Sequence, residues 1–224
     1  MLPVQFGLRL RFTEEIRRYS LSYEILTTLG GKISEPERIS ERGVRLLLNE
    51  DKVSVIWAPT HCEIRVENVS DKEHCIDRVI SVLETINSVA PIEELRDSRF
   101  LTYWILPTPQ YDFLSLERKY RDMMIVENDI SNAAYDSSVI LDISADKWTL
   151  HHQSGVMEPQ QLMQEYLRFK RDDVPKTFLF LEASIFNKNV VKYSKEAIHT
   201  FMTKSLEYCV SHMEEFNRIW EGRL

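Results

Sequence analysis

The chain has 224 residues, of which 43% are hydrophobic and 28% are charged, and its formal net charge is −7. This composition is typical of a globular protein with enough hydrophobic residues for one large domain or two packed lobes. The acidic balance argues against a nucleic-acid partner, which a basic surface would normally bind, and no apolar run is long enough to span a membrane.

The N-terminal sequence MLPVQFGLRLRF has charges within its apolar pattern, which is not typical of a signal peptide. The three cysteines, Cys62, Cys75 and Cys209, lie far apart and form no CxxC pair. An odd number of separated cysteines favours buried free thiols in a reducing compartment over a disulfide framework. We therefore expect a cytoplasmic protein.

The first half begins with a strand, because apolar and polar residues alternate over residues 4–12. A short helix is predicted over residues 19–29, and an antiparallel meander of short strands over residues 44–68. Ser70 and Glu73 have the spacing of a capping box, which predicts that a second helix begins there.

The second half reads as strand, helix, strand, strand, helix, strand and long helix. These elements are predicted over residues 99–107, 112–123, 137–144, 147–153, 159–167, 176–186 and 194–221. The first six follow the ferredoxin-like order βαββαβ, and the first half has a similar order with an extra strand. The sequence therefore predicts an α+β protein with two ferredoxin-like lobes, residues 1–98 and 99–224, antiparallel sheets and a long C-terminal helix.

The stretch KWTLHHQSG, residues 147–155, carries two adjacent histidines at the end of a predicted strand. Neighbouring residues of a strand point to opposite faces, so His151 and His152 cannot both bind one metal ion. The sequence also lacks the HxH, HExxH and CxxC spacings of common metal sites. We therefore predict no metal site and no cofactor.

His152 and Ser154 form an H-x-S tripeptide, which resembles half of the signature of the two-histidine phosphoesterases. That resemblance implies that the histidine acts as acid or base and that the hydroxyl holds a phosphate oxygen. The nearest second copy, His61-Cys62-Glu63, has a carboxylate where the hydroxyl should be. Paired ferredoxin-like lobes are also similar in topology to CRISPR-repeat RNA endonucleases, although their C-terminal glycine-rich loop is missing. A phosphoesterase or RNA nuclease using His152, Ser154 and His61 is therefore one alternative.

The C-terminal helix carries an apolar stripe and would extend about 40 Å at 1.5 Å per residue. It could pack along both lobes or pair with a second subunit. Four residues of the stripe would form a good hydrophobic anchor for such an interface: Met202, Met213, Phe216 and Trp220. Our leading prediction is a non-enzymatic binding or assembly protein that forms a homodimer. A second alternative is a small-ligand sensor with an aromatic-lined groove.

The early alternating strand and the ending FLFLEASIFNKNVVKYSKEAIHTFMTKSLEYCVSHMEEF, residues 178–216, resemble a family of known proteins. It is a sporadically distributed bacterial family of uncharacterised proteins of roughly 250 residues, close in length to this chain. The resemblance implies a bacterial source. Because the family has no established activity, the resemblance implies no particular function.

Overall fold

In the computed structural model of the chain, ten antiparallel strands of the described residues form one sheet. The structure describes residues 1–13, 24, 28–29, 37–39, 43–68, 71–125, 137–145 and 147–222. The strands are β1 (Leu2–Phe12), β2 (Glu37–Arg38), β3 (Val44–Leu48), β4 (Val53–Ala58), β5 (His61–Glu67), β6 (Glu94–Pro107), β7 (Ser138–Ala145), β8 (Trp148–Val156), β9 (Phe178–Asn187) and β10 (Val191–Lys192). The helices are α1 (Lys72–Val89), α2 (Phe113–Met124), α3 (Pro159–Gln161), which continues as a π-helical turn over Leu162–Tyr166, and α4 (Lys195–Trp220).

The two halves of the chain repeat one strand order within this sheet. The order is β2-β3-β4-β5-β1-β6-β9-β8-β7, and β10 pairs with β6. In each half the first strand pairs with the last strand of its own meander: β1 with β5, and β6 with β9. A helix follows each meander, α1 in the first half and α4 in the second. The prediction of an α+β protein with a large antiparallel sheet and a long C-terminal helix is therefore confirmed.

The strand order within each half differs from the predicted ferredoxin-like order. A ferredoxin-like lobe places its first strand between its third and fourth strands, whereas here β8 pairs directly with β9. The connection between them contains α3 and the π-helical turn, and it returns the chain to the sheet directly beside β8. The predicted boundary after Ser98 falls inside β6, whose pairing with β1 joins the two halves into one sheet.

The helices α1, α2 and α4 cover one face of the sheet, and the main hydrophobic core lies between them and the strands. The side chain of Asp112 accepts a hydrogen bond from the Ser115 N–H and Ser194 accepts one from the Ala197 N–H, which confirms both predicted helix starts. At the start of α1, Asp71 accepts a bond from the His74 N–H. The predicted cap Ser70 lies outside the described residues.

The opposite face of the sheet is covered at one end by the segment after β8. Met157, Leu162 and Leu167 pack there against a second apolar cluster that includes Tyr103 and Phe180. The rest of this face carries charged residues of β1, β5, β6 and β9. We call the first face the helical face and the second the open face.

Most of the helix predicted over residues 19–29 lies outside the described residues. The prediction of buried free thiols is confirmed, because Cys62, Cys75 and Cys209 are all buried and form no disulfide. Among the helices of the described residues, none is both long enough and apolar enough to cross a membrane.

Candidate functional site

The most unusual part of the core is a polar network beneath α4, built on β8. Alternation along β8 points Leu150, His152 and Ser154 toward the helical face and His151 toward the open face. His152 is 1% exposed and Ser154 is 0% exposed. Polar groups at this depth require hydrogen-bond partners within the protein.

His152 and Ser154 bond to each other, and His212 and Tyr120 supply their other side-chain partners, so that the four side chains form one chain of hydrogen bonds. The His212 Nε2 atom lies 3.0 Å from His152 Nδ1, and His152 Nε2 lies 2.9 Å from Ser154 Oγ. The Tyr120 hydroxyl lies 2.8 Å from Ser154 Oγ and 2.8 Å from the Ser154 carbonyl oxygen. We assign the protons in one direction: His212 donates to His152, His152 donates to Ser154, Ser154 donates to Tyr120, and Tyr120 donates to the carbonyl.

Burial keeps this network neutral. Burial, together with the nearby His212 and His151, lowers the pKa of His152 to about 4. Burial also lowers the pKa of His212, which Glu215 partly offsets. Burial raises the pKa of the Tyr120 hydroxyl. Neutral His152 can accept at Nδ1 and donate at Nε2, as the assigned direction of the bonds requires.

The network borders an open groove between α4 and β7, which we call the α4–β7 groove. Its volume is about 530 Å³, within the range of small-ligand sites. Most of the lining is apolar, and His152 and His212 supply polar groups near one another. The lining residues are Met124, Leu141, Ile143, Ser144, Leu150, His152, Glu207, Tyr208, Ser211, His212, Glu215, Phe216 and Ile219.

No protein-family model matches this chain, and no curated protein shows significant sequence similarity to it. The geometry of the site is therefore the basis for the function proposed below, because a fold alone does not determine a function. Within the described ranges, no group of three or more histidine, cysteine, aspartate or glutamate side chains is arranged to hold a metal ion.

The structure does not bring His61 near His152. His61 lies on the open face at the start of β5, whereas His152 lies on the helical face of β8. The strands β1, β6 and β9 separate β5 from β8, which corresponds to about 19 Å across the sheet. His152 and Ser154 do share a hydrogen bond, but Ser154 is fully buried and its hydroxyl is also bonded to Tyr120. The arrangement presents no exposed nucleophile.

The four residues predicted as a dimer anchor lie inside the chain. Met202 and Met213 are each 1% exposed, Phe216 is 5% exposed and Trp220 is 6% exposed. They belong to the main core, and the Phe216 ring lies 5.4 Å from the His152 ring. In the isolated chain, these side chains offer no exposed surface to a second subunit.

The two residues that the sequence analysis missed are His212 and Tyr120. His212 lies three residues after Cys209 and four before Phe216, so it lies beside the apolar stripe of α4. The sequence signal for His212 was a polar residue at a position where the helical spacing predicts contact with the core. Counted from the turn of each hairpin, Trp57 is the fifth paired residue of β4, as His152 is the fifth paired residue of β8. The repeated strand order therefore does not itself require a polar residue there.

Most of the described residues of β7, the strand beside the groove, are exposed, although Val139 is partly buried against the core. Ile140 is 58% exposed, Leu141 46% and Ile143 38%. Strand β7 pairs with β8 on one side, and within the described residues no strand lies on its other side. An exposed hydrophobic edge strand is a surface that readily accepts another strand.

Proposed function

We propose that this chain is a non-enzymatic binding protein that self-associates by pairing β7 with β7 of a second copy. The observation that carries the proposal is the exposed hydrophobic edge of β7 beside the α4–β7 groove. Cytoplasmic location is part of the proposal, and the three free, buried cysteines support it.

The repeated strand order supports the proposal. Strand β3 occupies in the first half the place that β7 occupies in the second, and β3 is paired on its outer side with the short strand β2. The corresponding edge of β7 has no such strand among the described residues. An antiparallel strand from a second copy would satisfy the backbone N–H and C=O groups along that edge.

The sequence of β7 is compatible with a two-fold axis through Leu141. In that register Leu141 faces the partner's Leu141, and Val139 faces the partner's Ile143 on the helical face. On the open face Asp142 lies opposite the partner's Ile140, so no like charges meet directly. A register centred on Asp142 would instead place two carboxylates opposite each other. The apolar pairs would extend the floor of the α4–β7 groove across the interface.

Size-exclusion chromatography with light scattering over a wide range of protein concentration tests the proposal. We expect a dimer for the wild type and a folded monomer for the double variant Ile140→Lys plus Ile143→Lys, because lysine on an edge strand prevents pairing. Leu114→Lys is the matched control and should remain dimeric, since Leu114 is 71% exposed and lies on α2, outside β7. A monomeric wild type, or a double variant that stays dimeric, would overturn the proposal.

A crosslinking experiment tests the register. In the Leu141 register, Leu141→Cys places two thiols opposite each other, at a distance that a disulfide can bridge. Ser144→Cys places its two thiols about 20 Å apart along the strands. We expect a disulfide-linked dimer for Leu141→Cys alone, and the buried native cysteines do not compete. Equal crosslinking of both variants would contradict this register.

A second candidate function is the binding of a small amphipathic molecule in the α4–β7 groove. The observation that favours it is the pairing of a mainly apolar lining with two neutral, hydrogen-bonded imidazoles. The ligand would have an apolar body and one group that hydrogen-bonds to His212. This is the sensor alternative predicted from the sequence.

Fluorescence of the probe 1-anilinonaphthalene-8-sulfonate tests this second candidate. We expect the probe to bind the wild type and to bind Ile219→Glu at least about tenfold more weakly, because a carboxylate in the groove disfavours an apolar anion. Leu114→Glu is the matched control, because Leu114 is exposed and does not line the groove. Equal binding to all three proteins would show that the probe does not occupy the groove.

A further inference from the structure

We propose that the open face carries a binding site for a small molecule with two or more phosphate groups. The site is a groove of about 490 Å³. Its lining residues are Arg9, Arg11, Arg96, Asp97, Arg99, Phe186, Lys188 and Val190. We call it the basic groove. It lies on the opposite face of the sheet from the α4–β7 groove, and the inference does not depend on self-association.

The charge of this groove contrasts with the charge of the chain. Five of its lining side chains are cationic and one is a carboxylate, whereas the whole chain has a net charge of −7. Cations gathered in a concave surface raise the local concentration of anions. The groove is therefore the place where an acidic protein of this sequence would attract an anionic ligand.

Two arginines meet at the centre of the sheet, where β1 and β6 join the halves. Arg9 and Arg99 are direct cross-strand partners, an arrangement of like charges that is destabilising by itself. Glu63 lies 3.8 Å from Arg9, and Glu182 forms an ion pair with Arg99, so neighbouring strands partly compensate the two charges. A bound anion would complete that compensation.

Arg99 is held in place before any ligand binds. It donates to the Ser184 hydroxyl at 2.9 Å, and its guanidinium lies 4.4 Å from the centre of the Phe186 ring. An arginine that is already ordered loses less conformational entropy when it binds a ligand. The contact also covers one face of the Phe186 ring, so the groove does not offer that face for stacking a nucleic-acid base.

Arg96 and Lys188 supply the cations that the fold leaves uncompensated. The register of β1 against β6 shifts between Arg11 and Phe12, which leaves Arg96 without a partner residue in β1. Such irregularities commonly redirect a side chain near a functional site. Both Arg96 and Lys188 are exposed, and neither forms an ion pair with any described residue. Arg11 lies 3.5 Å from the single carboxylate, Asp97.

These features favour a compact ligand with several phosphate groups. Guanidinium groups bind phosphate oxygens through paired hydrogen bonds, and the five cationic side chains that line the groove are more than one phosphate group can contact at once. The volume matches a small molecule. A long nucleic acid would instead require a basic surface extending beyond the groove, which an acidic chain does not favour.

Isothermal titration calorimetry with inorganic tripolyphosphate tests the proposal. We expect one bound tripolyphosphate per chain, weaker binding at higher salt, and weaker binding still of inorganic phosphate. The variant Arg96→Gln plus Lys188→Gln should bind tripolyphosphate at least about tenfold more weakly. The matched control is Arg118→Gln plus Lys204→Gln, two exposed cations on α2 and α4, which should bind like the wild type.

Several results would overturn the proposal. The first is a wild type that does not bind tripolyphosphate, and the second is equal weakening in the test and control variants. Phosphate binding as tight as tripolyphosphate binding would exclude a site for several phosphate groups. Tighter binding of a single-stranded oligonucleotide, measured by fluorescence anisotropy, would replace the small molecule with a nucleic acid. Thermal melts of all variants establish that each protein is folded.

Discussion

His152 and His212 share a hydrogen bond of 3.0 Å, although they come from β8 and α4 and are 60 residues apart in the chain. The bond lies at the border between the buried network and the α4–β7 groove. It links the sheet to its covering helix through two groups that ordinarily titrate near neutral pH. The protonation state of His152 is therefore coupled to the packing of α4 on the sheet.

The first prediction concerns pH. The pKa of His152 is about 4 in the folded protein and 6.5 in the unfolded chain, so between these values the unfolded chain binds more protons. The stabilisation is fully present above pH 6.5 and is lost as the pH falls toward 4. His152 should therefore account for a loss of about 2 kcal/mol in the free energy of unfolding between pH 7 and pH 5.

Urea denaturation at a series of pH values measures this loss, and NMR titration of the histidine ring protons follows His152 directly. His152→Gln should reduce the slope, while the lowered pKa of His212 leaves part of it in place. Thr200→Gln, a non-titrating substitution on the exposed side of α4, should keep the wild-type slope. An NMR midpoint for His152 near 6.5 would contradict the buried, neutral network.

The second prediction concerns the other end of the network. Tyr120→Phe removes the hydroxyl that bonds both the Ser154 side chain and the Ser154 carbonyl. Because both groups are buried, we expect a loss of about 1–3 kcal/mol in the free energy of unfolding. Tyr208→Phe is the control, since Tyr208 is exposed. Equal stability of the two variants in urea would mean that water replaces the lost hydroxyl.

The sequence predicted the local elements more reliably than their pairing. Alternation predicted β1, and the predicted starts of α2 and α4 are confirmed by their side-chain caps, because these signals depend on residues close together in the chain. The pairing of β8 with β9 depends on how a segment of about twenty residues returns to the sheet, which no local pattern encodes. The ferredoxin-like order was inferred from the sequence of elements alone.

Only the part of the candidate site that depends on residues close together in the chain was predicted. His152 and Ser154 are two residues apart, so their pairing on one face of a strand could be read from the sequence. Their partners Tyr120 and His212 come from two different helices, and the tertiary packing alone brings them together. The basic groove was also missed, because its cations come from β1, β6 and the residues after β9, and each of these segments contributes at most two of them.

The third prediction concerns the loop that covers one end of the open face. Both oxygens of Glu67 accept from the Arg168 N–H, one also accepts from the Phe169 N–H, and Gln5 donates to the other. Glu67→Gln would place an amide NH₂ against these donors, and we expect a loss of about 2–3 kcal/mol in stability. Hydrogen exchange should accelerate at Arg168 and Phe169. Glu165→Gln, an exposed substitution in the same segment, should leave both unchanged.

The fourth prediction separates core packing from subunit contact in α4. Phe216 packs on the His152 ring, and Trp220 lies beneath the Lys119 ammonium group, 4.5 Å from the centre of its ring. Because both are buried within one chain, Phe216→Asp plus Trp220→Asp would place two unpaired charges in the core. We expect this variant to unfold, and Phe216→Leu to remain folded with a loss of about 1–3 kcal/mol.

Circular dichroism and light scattering of the same samples measure both properties. Lys204→Asp is the control on the exposed side of α4 and should keep the fold and the oligomeric state of the wild type. A doubly charged variant that remained fully folded but became monomeric would place Phe216 and Trp220 in a subunit interface. Because both residues are nearly inaccessible in the isolated chain, that result would require α4 to leave the sheet and pack on a second copy.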